Sequence, residues 1–318
     1  MSKIEQIHSN MYCIDCHDLQ TINRTGCYVL KGDKTTLIET SASPSIPFIL
    51  DGLKELHIHL EDVEYVIVTH IHLDHAGGAG LLLEKCPNAR LVVHPKGARH
   101  LEDPSRLIAG AKAVYGEKFN QLFDPIVPIP KERIIIMNHQ DQLQLENRTL
   151  TFYDTPGHAN HHFSFLDSLT NGMFVGDTAG IYYRELEGEN FPFILPSTSP
   201  SQFRPDAMLQ AIDLYEELNP SSLYFGHYGQ HKQPEEVYMQ LKYWLPIFVK
   251  CGEEAMQTYQ SQEEQIKATT ASLTKICEQY LLAFGIEKDH PIFNILSLDL
   301  NVSAMGIIDY LTKKAKTN

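Results

Sequence analysis

Short apolar runs bounded by turn formers fill the first two thirds of the chain, and longer stretches with apolar residues at helical spacing fill the last third. The short runs, rich in Val, Ile, Phe and Tyr, predict strands near 4–13, 26–31, 34–39, 64–68, 91–93, 133–137, 142–145, 149–153, 162–167, 172–176 and 222–225. Helices are predicted at 45–56 after Ser43-Pro44, at 76–86, and over most of 96–124 with a break at Asp103-Pro104. Two strand-rich halves with intervening helices make this an α/β chain built as a layered sandwich. From about residue 235 the pattern turns helical, with helices predicted at 235–250, 262–284 and 303–314. Ile266, Leu273, Ile276, Cys277, Tyr280, Leu281 and Phe284 form one apolar stripe. Such a stripe must be buried, either on the sandwich or against a second chain. Closed two-fold dimers are the commonest soluble assembly, so a homodimer is expected ahead of an intrachain cover.

The polar residues at the ends of these runs change the picture. The run Thr69-His-Ile-His-Leu-Asp-His75 directly follows the apolar Tyr65-Val-Ile-Val68. In extended chain, residues i and i+2 project to one side, so His70 and His72 can grip one cation. Asp74 and His75 follow where the chain turns toward Ala76-Gly-Gly78, placed for a second cation. Three further candidates sit just past strand-like runs, each near a glycine: His158 in Asp154-Thr-Pro-Gly-His158, Asp177 in Phe174-Val-Gly-Asp177, and His227 in Leu223-Tyr-Phe-Gly-His227. Repeated placement of this kind converges ligands on one edge of a sheet. Imidazole with carboxylate suits zinc, and also iron or manganese.

With these residues in this order, the chain resembles the metallo-β-lactamase superfamily. The signature His-x-His-x-Asp-His stands at residues 70 to 75, followed by His158, Asp177 and His227. The resemblance covers residues 1–232. It implies an αββα sandwich over residues 1–234, with 235–318 as a helical extension packed on it or on a partner subunit. It also implies two divalent metal ions, zinc before iron or manganese. His70, His72 and His158 would hold one, Asp74, His75 and His227 the other, and Asp177 would bridge both.

Variations within the signature narrow the class. β-Lactamases of the family tend to carry Cys or Ser where Asp177 stands, and the flavodiiron branch usually has Glu at the place of His72. The extra motifs of the nuclease branches are not found. What remains resembles the glyoxalase II and lactonase group. The implied reaction is hydrolysis of an ester, thioester or lactone by attack of a metal-bridging hydroxide. Asp74 would shuttle the proton, and Tyr182 or Tyr183 would donate to the carbonyl. A phosphodiesterase on the same two-metal scaffold is the alternative, and a non-enzymatic binding protein comes third. One departure is Ile38-Glu-Thr-Ser41, where the family often carries an Asp that supports the metal loop. The basic motif with which glyoxalase II helices bind glutathione is not matched.

Composition adds limits. The chain has 318 residues, enough for one large α/β domain with an addition, and 43% of them are apolar. A net charge of −14 gives no basic footprint, so a small-molecule substrate is expected and nucleic acid is not. Met1-Ser-Lys-Ile-Glu-Gln has no charged-then-apolar leader, and no apolar run reads as long enough to span a membrane. The expectation is a cytoplasmic protein with no membrane contact. Its six cysteines then read as reduced thiols, although Cys13-Ile-Asp-Cys16-His17 matches a haem-attachment pattern. Residues 178–204 carry Tyr182, Tyr183, Phe191 and Phe193 in a loop after Asp177. Those aromatics either line a substrate pocket or simply pack.

Overall fold

The computed structural model describes residues 3–189 and 192–317. The first predicted strand is in fact a hairpin, β1 (Ile4–His8) and β2 (Met11–Asp15). Its turn places Asn10 at φ 60, in the left-handed region that Asn tolerates. There follow β3 (Gly26–Leu30), β4 (Thr35–Ile38), α1 (Ile46–Glu55) and β5 (Val63–Ile67). Next come α2 (Leu73–Ala76), α3 (Ala79–Lys85), β6 (Arg90–Val93), α4 (Pro95–Glu102), α5 (Ser105–Tyr115), α6 (Phe119–Phe123) and β7 (Ile134–Ile136). These seven strands form one sheet in chain order, antiparallel from β1 to β4 and parallel from β4 to β7. Parallel neighbours need crossovers, and the helices supply them.

A second sheet is built from β8 (Gln142–Gln144), β9 (Thr149–Asp154), β10 (Phe163–Asp167) and β11 (Gly172–Gly176). Beyond the two short strands β12 (Ile181–Tyr182) and β13 (Ile194–Leu195), it gains β14 (Ser222–Phe225) and β15 (Gly229–His231). The order is β15-β14-β11-β10-β9-β8.

Strand alternation explains how the layers stack. In and just after β5, Tyr65 and Ile67 join a core with Phe152, Phe163, Phe165 and Phe174 of the second sheet. Val66 and Val68 face the other way, into a core with Ile49 and Leu53 of α1, Leu82 of α3 and Leu101 of α4. Side chains of period two thus hold a sheet on one face and helices on the other. Each fully buried Phe or Leu contributes roughly 1.5–3 kcal/mol. Met173, Val175, Leu223 and Phe225 are buried as well, so the second sheet is apolar on both faces.

The chain divides into two compact units. The two large sheets lie in the first, which comprises Met1–Asp154, His161–Gly176 and Pro220–Pro234. The second takes Thr155–Asn160, Asp177–Asn219 and Glu235–Asn318. It therefore holds two stretches that precede the expected boundary at 235, among them the paired strands β12 and β13. Its helices are α7 (Pro205–Leu218), most of α8 (Pro234–Thr258), α9 (Gln262–Ala283) and α10 (Ile292–Thr317).

The apolar stripe of α9 is covered in part inside this unit, with Phe284 at its end exposed. Leu273, Cys277 and Leu281 are buried, and α9 lies along α10. α10 begins eleven residues before its predicted start at 303, because Ile292-Phe-Asn-Ile-Leu-Ser-Leu-Asp-Leu300 partly mimics a strand's alternation. One expectation is corrected here. By length and composition, Ile292–Lys316 is apolar enough to cross a membrane, although half of its most apolar window is buried within the protein. Core helices share that composition.

Candidate metal centre

The metal loop leaves the end of β5, and its first histidine is held by a short relay. Glu39, at the end of β4, accepts from the Thr69 amide at 3.2 Å and from the Thr69 hydroxyl at 2.5 Å. With its proton given to Glu39, the Thr69 oxygen accepts from His70 Nδ1 at 3.1 Å. A proton on Nδ1 leaves the His70 Nε2 lone pair free to ligate. Nε2 lies 3.1 Å from His72 Nδ1, so two ring nitrogens face one point.

The chain then turns into α2, which presents Asp74 and His75. Their ligand atoms and that of His227 all lie within 4.8 Å of one another. Asp74 Oδ2 is 3.7 Å from both His75 Nε2 and His227 Nε2. His227 donates from Nδ1 to the Arg24 carbonyl at 3.2 Å, which leaves its Nε2 lone pair available for a cation. His75 Nδ1 is 3.5 Å from the second Glu39 oxygen. The His70 and His75 ring centres are 4.1 Å apart, so the two groups adjoin.

The remaining two candidates form a third group. His158 donates from Nδ1 to the Ser197 carbonyl at 2.9 Å, and its Nε2 lies 3.7 Å from Asp177 Oδ2. The Ser197 hydroxyl donates to the same Asp177 oxygen at 2.9 Å. All seven predicted ligands thus sit in groups of two or three with their ligating atoms turned toward each other. Buried imidazoles whose second nitrogen is tied to an acceptor, together with carboxylates, fit divalent transition metals.

A family model described as the metallo-beta-lactamase superfamily matches residues 24–227. The chain belongs to the metallo-β-lactamase superfamily. This is a superfamily of metallo-hydrolases, and the structure has its mixed α/β fold with two sheets and a C-terminal helical region. The metallo-beta-lactamase fold-containing protein ST1585 of Sulfurisphaera tokodaii is 25% identical over 206 residues, 64% of this chain and 72% of its own. The crystal structure of that protein aligns with a TM-score of 0.66 at 20% identity, covering 94% of this chain and 98% of the other. A metallo-beta-lactamase family protein, TTHA1429 from Thermus thermophilus, gives a TM-score of 0.69 at 16% identity, with 98% and 95% covered. The N-acyl homoserine lactonase AttM of Agrobacterium fabrum is 28% identical over 181 residues, 56% of this chain and 63% of the lactonase.

Supporting residues were noted in the sequence only as a departure, as Glu39 was, or not at all. Glu39 is buried and at φ 65, and it supports His70 through Thr69 and His75 directly. It occupies the place of the family's Asp with one more methylene. Replacing Glu39 with Gln keeps its shape and removes its charge. Metal affinity is expected to fall about 10- to 100-fold, as for other groups that orient ligands. Competition with a chelator measures this, and an unchanged affinity would show the charge to be dispensable. His161 and His162 also stand among the imidazoles. The Ile71 amide donates to His161 Nδ1 at 3.4 Å, and the His162 ring centre is 5.1 Å from that of His70. The only sequence signal for them was the density of histidines after His158. Gly176, at φ 49, is needed there because a Cβ would strike His162 and Thr69. Asp18 is buried beside Arg24 Nε at 3.7 Å. Burial pushes its carboxyl up to about 6 although Arg24 opposes this.

Other candidates take different places. Tyr182 and Tyr183 are both buried, and the Tyr183 hydroxyl donates to Asp299 on α10 at 3.0 Å. Phe193 is fully buried among Tyr183, Trp244 and Tyr280, and Phe191 lies outside the described residues. All six cysteines are free and buried, and burial raises the thiol pKa of Cys16, Cys27, Cys86, Cys251 and Cys277. Cys13 and Cys16 are core residues of the first sheet's two faces, which accounts for the Cys-x-x-Cys pattern.

Proposed function

We propose that the protein hydrolyses a carbonyl ester, thioester or lactone of a small molecule, using two divalent cations. The observation that carries this reading is the environment of Asp177: a buried carboxylate beside His158, oriented by the Ser197 hydroxyl, at the position where β-lactamases of the family tend to carry Cys or Ser. In the proposed assignment His70, His72 and His158 hold one cation, and Asp74, His75 and His227 hold the other, with Asp177 shared. Two such cations, zinc before iron or manganese, would polarise a substrate carbonyl and lower the pKa of a water molecule held with them. The likeness to a lactonase supports the class of bond.

The chain's own groups take the remaining roles. Asp74 keeps 28% of its side chain exposed, whereas His75 and His227 are buried. It can therefore accept a proton in the site and release it to solvent. Tyr182 or Tyr183 would donate to the substrate carbonyl, and Tyr183 would first have to give up its bond to Asp299. A net charge of −14 disfavours polymeric nucleic acid but not a small phosphodiester, which keeps that alternative in the test.

Metal analysis of purified protein, followed by a panel of lactones, thioesters, β-lactams and phosphodiesters, tests the reading. Two metals per chain are expected, with turnover of a lactone or thioester. Turnover confined to phosphodiesters would replace the proposal with the alternative, and one metal per chain at saturation would refute the dinuclear assignment.

A further inference from the structure

His227 is the centre of a three-residue turn, Gly226-His227-Tyr228, between β14 and β15. Phe225 and Gly229 are the pair that closes this hairpin. The hydroxyl of Tyr28, from the middle of β3 in the other sheet, stands at the closing pair. It lies 2.8 Å from the Phe225 carbonyl and 2.7 Å from the Gly229 carbonyl, and it accepts from the Gly229 amide at 3.1 Å. A phenol has one proton, so it donates to one carbonyl at a time while its lone pair keeps the amide. The ring is 1% exposed and packs edge-on to Phe174 at 5.3 Å, in the core between the sheets. A hydroxyl buried so deeply would be costly without partners, and the turn supplies them.

Three more features hold the same turn. The Gly26 amide donates to the Gly226 carbonyl at 3.1 Å. The Arg24 carbonyl takes the His227 Nδ1 proton. Gly226 itself lies so close to His75 that a Cβ there would come within 2.7 Å of the His75 ring. The hairpin is thus seated against both the β3 strand and another ligand by groups that need no cation.

We infer that Tyr28 is a positioning residue: its hydroxyl pre-sets the turn that carries His227, and so the cation site of Asp74, His75 and His227, before any metal arrives. The inference rests on the proposed ligand set, and it assigns Tyr28 no contact with metal or substrate. It predicts that one half of the centre depends on this hydroxyl and the other does not.

The test is Tyr28→Phe, titrated with zinc against a fluorescent chelator. Affinity for one of the two zinc ions should fall about 10- to 100-fold while the other stays within about twofold of wild type. Equal weakening of both, or of neither, would overturn the inference. Hydrogen exchange of the Gly229 amide in the wild-type protein gives a second measurement that does not depend on the variant folding. The amide should exchange as slowly in zinc-free protein as in loaded protein, because Tyr28 holds it in both. Slow exchange that appears only with zinc would mean the metal shapes the turn, and the inference would fail. If wild type binds a single zinc, the two-metal reading fails, while the exchange result still decides whether Tyr28 pre-sets the turn.

Discussion

Replacing Asp177 with Ala is expected to empty the metal centre more completely than removing any other single ligand. A terminal ligand such as His227 serves one cation in the proposed assignment, so His227→Ala should leave the other cation bound. Asp177 would serve both, and it would place a negative charge where two dications face each other. Without it each cation loses a ligand and their repulsion is unscreened. The neighbourhood cannot compensate: the carboxylate is buried, and Ser197 offers a hydroxyl whose proton now points at a missing oxygen. Metal content should fall below one per chain. Hydrolysis should drop on the order of 10³-fold, about 4 kcal/mol of barrier. Elemental analysis of Asp177→Ala beside His227→Ala and His158→Ala reads the difference. Equal metal loss in all three would leave Asp177 as an ordinary terminal ligand.

The candidate ligands could be picked out because metal binding restricts residue type, and because four of the seven fall within six residues where extended chain turns into helix. What supports them was much less visible. His70 depends on Thr69 and Glu39, His227 on the Arg24 carbonyl, and His158 on the Ser197 carbonyl. Two of those three supports are backbone oxygens, which every residue carries and no pattern marks. Glu39 did stand out, but only as a departure from the family's Asp. Its role needed the distances to Thr69 and His75. The strands were read well where a compact apolar run is bounded by turn formers, as in β3 and β5. Reading failed where local pattern is shared by different structures: a strand-like run that begins α10, and a run at 4–13 that a Ser-Asn turn folds into two strands.

The aromatics after Asp177 show the same limit, and Phe193 decides between the two readings left open for them. Its side chain is fully buried, with its ring centre 5.6 Å from Tyr183, 6.0 Å from Trp244 and 6.1 Å from Tyr280. Its carbonyl accepts from the Tyr183 amide at 2.9 Å, where β12 and β13 pair. Every one of these partners belongs to the second unit. Phe193→Ala is therefore expected to behave as a core truncation, destabilising that unit by about 3–5 kcal/mol through lost burial and a residual cavity. Metal content should stay at the wild-type level below the melting transition. The ratio of kcat/KM for bulky and small acyl substrates should also hold, because a side chain packed on its own unit's helices selects nothing. Thermal unfolding together with that ratio distinguishes the two roles. An unchanged transition with a selective loss on bulky substrates would return Phe193 to the pocket wall.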